Sequence, residues 1–297
     1  MRILVTGREG QLARALAAMK ASDLDMVCLG RPELNISSRS SVDKAIWTFN
    51  PDVVVNTAAY TAVDKAESDQ DAAYATNAIG AANVAAATAA VGIPVIHVST
   101  DYVFSGDKPS PYVETDPVDP QSVYGASKLR GERLVVKSNP AHIIVRTAWV
   151  YSVWGHNFLK TMLRLAQTRD EVGVVADQRG NPTYAPELAR GIVAAAQVAL
   201  DAPRSEHWSG IYHLAGTGDA VWADFAEAIF AASAAVGGPS ARVKRIGTED
   251  YKTPARRPMN SRLDCQKFQS VFNFSSRDWQ TSTLECVAAL HALENDA

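Results

Sequence analysis

Cysteine is scarce in this 297-residue chain: Cys28, Cys265 and Cys286 stand far apart, with no CxxC pair and no ligand-like spacing. That pattern excludes a disulfide framework and a cysteine-ligated zinc site, and it suits a reducing compartment. Charge of one sign is equally lacking. A net charge of −3 sets up no general attraction for nucleic acid or anionic membrane, so an anionic ligand needs a local positive site. No apolar run approaches a membrane span, because the alanine-rich stretch from Ala81 to Ala90 is broken by Asn83 and Thr88. A signal-peptide pattern is missing as well, since Met1-Arg2 leads directly into Ile3-Leu4-Val5. The expectation is a cytoplasmic protein that partners neither nucleic acid nor membrane. With 47% hydrophobic and 21% charged residues the chain belongs with ordinary globular proteins, which excludes disorder.

What is present is an alternation of elements. Short β-branched runs at Ile3–Thr6, Asp25–Leu29, Val53–Asn56, Val95–Ser99 and Ile143–Arg146 predict strands. Helical patterns lie between them at Gln11–Lys20, Ser41–Phe49, Asp71–Val91 and Val123–Lys137. The strands are solidly apolar, as required when helices cover both faces of a sheet. Strand–helix alternation with right-handed crossovers gives the fold class: α/β, a doubly wound parallel Rossmann sheet. Beyond about residue 150 the pattern loosens. Helices are expected at Phe158–Gln167, Ala185–Leu200, Trp222–Ala235 and from Thr283 onward, with brief strands at Val172–Val175 and Ile211–Leu214. Gly237-Gly238-Pro239 reads as a turn and Thr253–Asn260 as irregular chain. The domain expectation is a Rossmann domain over 1–150, joined by segments around 185–215, and a smaller α+β lobe over 151–297, interleaved with it.

The run Thr6-Gly7-Arg8-Glu9-Gly10-Gln11-Leu12-Ala13 lies between the first strand and the first helix. Gly7 and Gly10 let the backbone turn sharply and let a pyrophosphate approach main-chain N–H groups, while Ala13 permits close helix–sheet packing. The second strand ends in Leu29-Gly30-Arg31 with no carboxylate. An acid there would hold a ribose 2′-hydroxyl, whereas Arg31 can accept a 2′-phosphate; this favours NADPH and leaves NADH open.

Ser99-Thr100-Asp101-Tyr102 closes the fourth strand, and Tyr124-Gly125-Ala126-Ser127-Lys128 opens the following helix. Residues four apart share a helix face, so Tyr124 and Lys128 point the same way. A phenol with a pKa of about 10 becomes a better proton donor near neutrality when an ammonium favours its phenolate. Thr100, at the carboxyl end of a central strand, stands where open α/β sheets bind ligands and can hydrogen-bond a substrate oxygen. Tyr124, Lys128 and Thr100 are the expected catalytic residues.

The GxxGxxA turn, the Thr100 strand end and the YxxxK pair together resemble the extended short-chain dehydrogenase/reductase family. Within it, the runs from Asn56 to Glu67, STDYVFSG from Ser99, RTAWVY from Arg146 and TPARRPMNSRL from Thr253 resemble the dTDP-4-dehydrorhamnose reductases. The resemblance implies NADPH-dependent reduction of the C4 ketone of a dTDP-sugar substrate. It places Gly10, Gln11 and Leu12 on the cofactor pyrophosphate, Asn35 and Ile36 near the adenine, and Ala59, Tyr60 and Thr61 along the cofactor. It places Thr100, Asp101, Tyr124 and Trp149 against the sugar, with Tyr124 donating the proton and Lys128 lowering its pKa and holding the nicotinamide ribose. Arg256 and Arg257, adjacent in a Pro-bounded loop, suit a diphosphate. Asp64, Lys65 and Glu67 read as a solvated helix start.

The chain also departs from that family. Some members are dimers bridged by magnesium on glutamates; here Ala15 and Ala289 occupy two such positions, Glu187 a third, with Glu285 and Glu294 nearby. One carboxylate does not make a magnesium site, so no bridging metal is expected and monomer or homodimer stays open. Asn35 replaces an aspartate. The segment Tyr151–Asn157 adds an aromatic, Trp154. The competing expectations are a related nucleotide-sugar epimerase or dehydratase, which would return the hydride to its substrate, and a non-catalytic cofactor-binding regulatory subunit.

Overall fold

A computed structural model describes residues 1–19, 24–202 and 205–295, with Glu294 and Asn295 described by backbone alone. The apolar runs of the first half form β1 (Arg2–Thr6), β2 (Asp25–Leu29), β3 (Val53–Asn56), β4 (Val95–Thr100) and β5 (His142–Thr147). Between them run α1 (Gln11–Ala17), α2 (Arg39–Phe49), α3 (Val63–Ala66), α4 (Gln70–Tyr74), α5 (Ala81–Ala90) and α6 (Val123–Ser138). Lys20, the expected end of the first helix, lies outside the described residues. The later chain adds β6 (Val150–Tyr151), α7 (Phe158–Ala166), β7 (Glu171–Val175), β8 (Arg179–Gly180), β9 (Thr183–Tyr184), α8 (Ala185–Asp201) and β10 (Gly210–His213). It finishes with β11 (Ala220–Val221), α9 (Trp222–Ala235), β12 (Arg242–Ile246), α10 (Gln266–Phe272) and α11 (Trp279–Asn295).

Six strands form one parallel sheet in the order β10-β5-β4-β3-β1-β2. Side chains alternate across a strand, so each apolar run feeds two cores. Ile3, Val5, Val53, Val55, Ile143 and Val145 point to one face, beneath α1, α8 and α10. Leu4, Val54, Val95 and Ile144 point to the other, beneath α2 and α5. The chain leaves β1 toward β2 and then returns to the opposite side of β1 as β3, so the connections diverge at the carboxyl ends of β1 and β3. That divergence opens a crevice at which α/β sheets hold nucleotides. A further core gathers Leu159, Val172, Val174, Phe225, Ile229, Trp279 and Leu290 from α7, β7, α9 and α11, around the short pairings β12–β7 and β6–β9. Among the described residues no helix is long and apolar enough to cross a membrane.

The differences from expectation have local causes. The segment Asp71–Val91 is not one α-helix: Ala75–Gly80 forms a π-helical turn between α4 and α5. That turn aims the buried Asn77 at the loop after β3, where its Oδ1 accepts from Tyr60 N at 2.8 Å and its Nδ2 donates to Tyr60 O at 3.1 Å and Ser127 Oγ at 3.0 Å. The last helix begins at Trp279, four residues before Thr283, because Asp278 Oδ1 accepts from Thr281 N at 2.8 Å and caps it. Helix α10, absent from the sequence reading, buries Phe268 and Phe272 on one face and ends at Asn273 with φ of 50°.

Helix α6 lies so close to the π turn that a Cβ on Gly131 would collide with Asn77 O. Alanine is the better helix former by roughly 1 kcal/mol, yet the overpacking outweighs it. Gly131→Ala is expected to lower stability by about 1–2 kcal/mol net, read as a lower urea midpoint at unchanged slope.

Candidate active site

A cleft of about 1050 Å³ opens where the strands of the sheet end, with Gly10–Ala13 on one side, Tyr124 and Lys128 on its floor, and Trp149, Phe158 and Trp222 on the far side. Strand β4 terminates at Thr100, whose Oγ1 accepts from Tyr102 N at 3.2 Å and starts a tight turn over Asp101–Val103. Ser122 caps α6 by accepting from Gly125 N at 3.2 Å, and Glu67 Oε1 accepts from Val123 N at 2.9 Å, so the first turn of α6 is held from two directions. A Cβ on Gly125 would strike Tyr102 O, so only glycine lets this turn press against the end of β4. Thr100, Tyr124 and Lys128 thereby come together.

Their electrostatics differ from the sequence expectation in one respect. Burial pushes the Tyr124 phenol up to about 12, opposed by a hydrogen bond with Thr100. Lys128 is buried, donates from Nζ to Val98 O at 2.6 Å, and is pushed down to about 8 by burial while Glu132 acts to raise it. Burial and the Asp101 carboxylate raise the tyrosine, and the group that opposes them is Thr100 rather than Lys128. Thr100 Oγ1 donates to Asp101 Oδ1 at 2.8 Å, and the other carboxylate oxygen has no partner. Burial lifts Asp101 to about 6 despite the hydrogen bond from Thr100.

On the glycine side, Gly7 adopts φ of 96° and donates to Leu29 O at 2.6 Å. Nothing lies within 4 Å of the direction in which a Cβ would project from Gly10, so main chain alone faces the cleft there. Gln11 spends its side chain elsewhere. Its Nε2 donates to Val150 O at 3.1 Å, and its Oε1 accepts from Ser152 Oγ at 2.8 Å and Asn157 Nδ2 at 2.9 Å. Its carboxamide thus ties the segment after β6 over the glycine turn. Ala59 and Thr61 line the cleft, but Tyr60 does not; its hydroxyl turns away to Asp69 Oδ2 at 3.1 Å. Arg31 is exposed and donates to Asn35 Oδ1 at 3.3 Å, beyond the cleft lining. Ile36 is a core residue, 5% exposed, whose carbonyl accepts from Asn83 Nδ2 at 2.9 Å.

On the far side Trp149 holds φ of 48°, an uncommon conformation for so bulky a residue. Its indole stacks on Trp222 with centroids 3.4 Å apart and planes 5° from parallel, and a Cβ on Gly180 would collide with it. Trp222 was not foreseen; it opens α9 and is drawn to the cleft by the fold of the second core, a signal that no local pattern carries. The two arginines part company. Arg257 Nη2 donates to Asp64 Oδ2 at 2.7 Å, and its buried Nη1 has no protein partner at the cleft wall. Arg256 is exposed, donates to Gln121 Oε1 at 3.2 Å and lies outside the lining. Asp64 and Glu67 are not merely solvated: Asp64 also accepts from Ala255 N at 3.2 Å, and Glu67 holds α6. Lys65 alone of that trio stands in solvent.

A bridging magnesium does not fit this chain. The buried Glu187 carboxylate is occupied by arginines: Oε1 accepts from Arg277 Nε at 2.7 Å and pairs with Arg190, and Oε2 accepts from Arg277 N at 3.2 Å. Arg277 also binds Glu285 at 2.6 Å. Two guanidinium groups already supply the positive charge that a dication would bring, and among the described residues no group of three or more candidate ligands converges. The side chain of Glu294 lies outside the described residues.

Comparison with known proteins agrees with this geometry. The sequence model of the family described as RmlD substrate binding domain matches residues 1–292. A curated protein named dTDP-4-dehydrorhamnose reductase from Sinorhizobium fredii is 47% identical over 297 residues, covering 100% of both chains. The crystal structure of a dTDP-4-dehydrorhamnose reductase from Clostridium acetobutylicum superposes with a TM-score of 0.89 at 38% identity, covering 98% of this chain and 100% of that one. A second such reductase, from Bacillus anthracis and solved in complex with NADP, gives 0.89 at 35% identity, covering 97% and 99%. On this evidence the chain belongs to the RmlD substrate binding domain family.

Proposed function

We propose that this chain reduces the C4 ketone of dTDP-4-dehydro-β-L-rhamnose to dTDP-β-L-rhamnose with NADPH, the last step in making that nucleotide sugar. The observation that carries the reading is the convergence of Thr100, Tyr124 and Lys128 on the floor of a cleft whose far wall presents Arg257 and the stacked Trp149 and Trp222. The relatives' name supplies the substrate, and the NADP in the Bacillus anthracis structure supports the cofactor. The residues present suit that cofactor. Gly10 leaves open main chain for a pyrophosphate, Ala59 and Thr61 flank the path, and Arg31 is the cation at the end of β2. Residues 1–150 with the segment around 185–215 would carry it. In support, α8 and β10 pack into the core of the sheet. The rest would hold the nucleotide sugar.

NADPH, when bound, supplies the hydride that reaches C4. The protein supplies the proton and the geometry. A phenol held at about 12 keeps its proton at every working pH, and an alkoxide forming on O4 is the stronger base, so transfer from Tyr124 runs downhill. Lys128 presents an ammonium beside the cleft for ribose hydroxyls. Thr100 orders the ketone oxygen next to Tyr124, and Arg257, which lines the cleft, offers its guanidinium charge to the diphosphate.

Two outcomes are expected. Tyr124→Phe lowers kcat by about 10²–10⁴ in an assay following NADPH absorbance with the dTDP ketone, while NADPH affinity measured by fluorescence stays within about twofold. Unchanged turnover would remove Tyr124 as the donor, and failure to release one NADP⁺ per ketone reduced would reject the reductase reading. Arg257→Ala raises KM for the dTDP-sugar about tenfold or more, with a far smaller change for Arg256→Ala; equal effects would mean that the cleft wall does not select between them.

A further inference from the structure

Below the catalytic pair lies a buried ionic cluster that the proposed reaction does not use. Glu132 follows Lys128 by one helical turn and Tyr124 by two, so all three share one face of α6. Its Oε1 accepts from Ser99 Oγ at 2.5 Å and Arg146 Nε at 2.9 Å, and its Oε2 accepts from Arg146 Nη2 at 2.7 Å. Glu132 and Arg146 side chains are each 2% exposed, and the guanidinium lies 5.0 Å from the centre of the Phe104 ring.

A Glu and a Lys four apart on a buried face would ordinarily pair directly. Here they do not, because Ser99 on β4 and Arg146 on β5 engage both carboxylate oxygens. The ammonium donates to Val98 O instead. We propose that Glu132, clamped by Arg146 and Ser99, is a positioning residue that keeps Lys128 charged through space while leaving its ammonium free for the cofactor. This rests on the reading of Lys128 as a cofactor ligand. Other titratable or charged groups on the elements packed here are Tyr124 and Asp101, which line the cleft with Lys128, His97 on β4, on which the ammonium acts, and Arg146 on β5, paired with Glu132. His97 is held neutral by burial. Without Glu132 burial alone would act on Lys128, and without the clamp Glu132 would cap it.

The two halves of the clamp therefore predict shifts of opposite sign. NADPH binding, followed by fluorescence from pH 6 to 9.5, should weaken in the wild type as Lys128 loses its proton near pH 8. Glu132→Gln keeps the shape and removes the charge. Its alkaline midpoint should fall by about one pH unit, with affinity at pH 6 within about twofold of wild type. Arg146→Met frees Glu132 to reach Lys128. Its midpoint should rise while affinity at pH 7 drops about tenfold. The double variant removes both partners of the Glu132–Arg146 ion pair and should keep the low midpoint of Glu132→Gln, which preserves the test if Arg146→Met does not fold. An unmoved midpoint in Glu132→Gln and the double variant, with any loss uniform across pH, would overturn the proposal and leave the cluster structural. Wild-type protein that binds NADPH but does not reduce the dTDP ketone would reject the proposed function alone, since the midpoints are read from binding.

Discussion

The site depends on how closely helix α6 can approach the carboxyl end of β4. Thr100 sits on one and Tyr124 and Lys128 on the other, so the three side chains meet only if the two backbones nearly touch. Two glycines permit it: Gly125 against Tyr102 O and Gly131 against Asn77 O, where any Cβ would collide. Hydrogen bonds then hold the seated helix, from Ser122 and Glu67 at its start and through Ser127 to Asn77. The π turn in the neighbouring helix belongs to the same constraint, since it aims Asn77 into this junction and at the loop beside the cleft.

A second set of contacts joins the sheet to the later chain across the cleft. The Gln11 carboxamide reaches Val150, Ser152 and Asn157, and Arg257 reaches Asp64. Both connections start from residues that first suggest direct ligand contact. In each, the side chain is at least partly engaged by protein: Gln11 by three groups of the later chain and Arg257 by Asp64. Trp149 fits this picture: its left-handed backbone is tolerated because Trp222 and the space beside Gly180 over-determine its position.

Desolvation governs the ionisable groups on the cleft floor. It raises Tyr124 and Asp101 and lowers Lys128, and only specific partners oppose it: Thr100 for Tyr124 and Asp101, Glu132 for Lys128. A protonated phenol thus follows from depth, whereas the ammonium near neutral pH is favoured against depth by Glu132. The Glu187 cluster follows a similar logic, where guanidinium groups stand in place of a dication.

Much of this was legible in the residues themselves. Solidly apolar β-branched runs, a glycine turn after the first and a YxxxK pair after the fourth prescribe the parallel sheet and the floor of the cleft, because period, turn chemistry and helical spacing are local properties. Even α10 and the start of α11 left local marks, in the Phe268–Phe272 spacing and in Asp278. Other features were decided only by tertiary structure. Arg256 and Arg257 are neighbours in sequence, yet one faces solvent and the other the cleft; Trp222 reaches Trp149 from a distant helix; and Glu132 avoids Lys128 because Ser99 and Arg146 arrive from two strands. Direction, burial and the saturation of a carboxylate depend on what the rest of the chain brings alongside, and no window of sequence contains that.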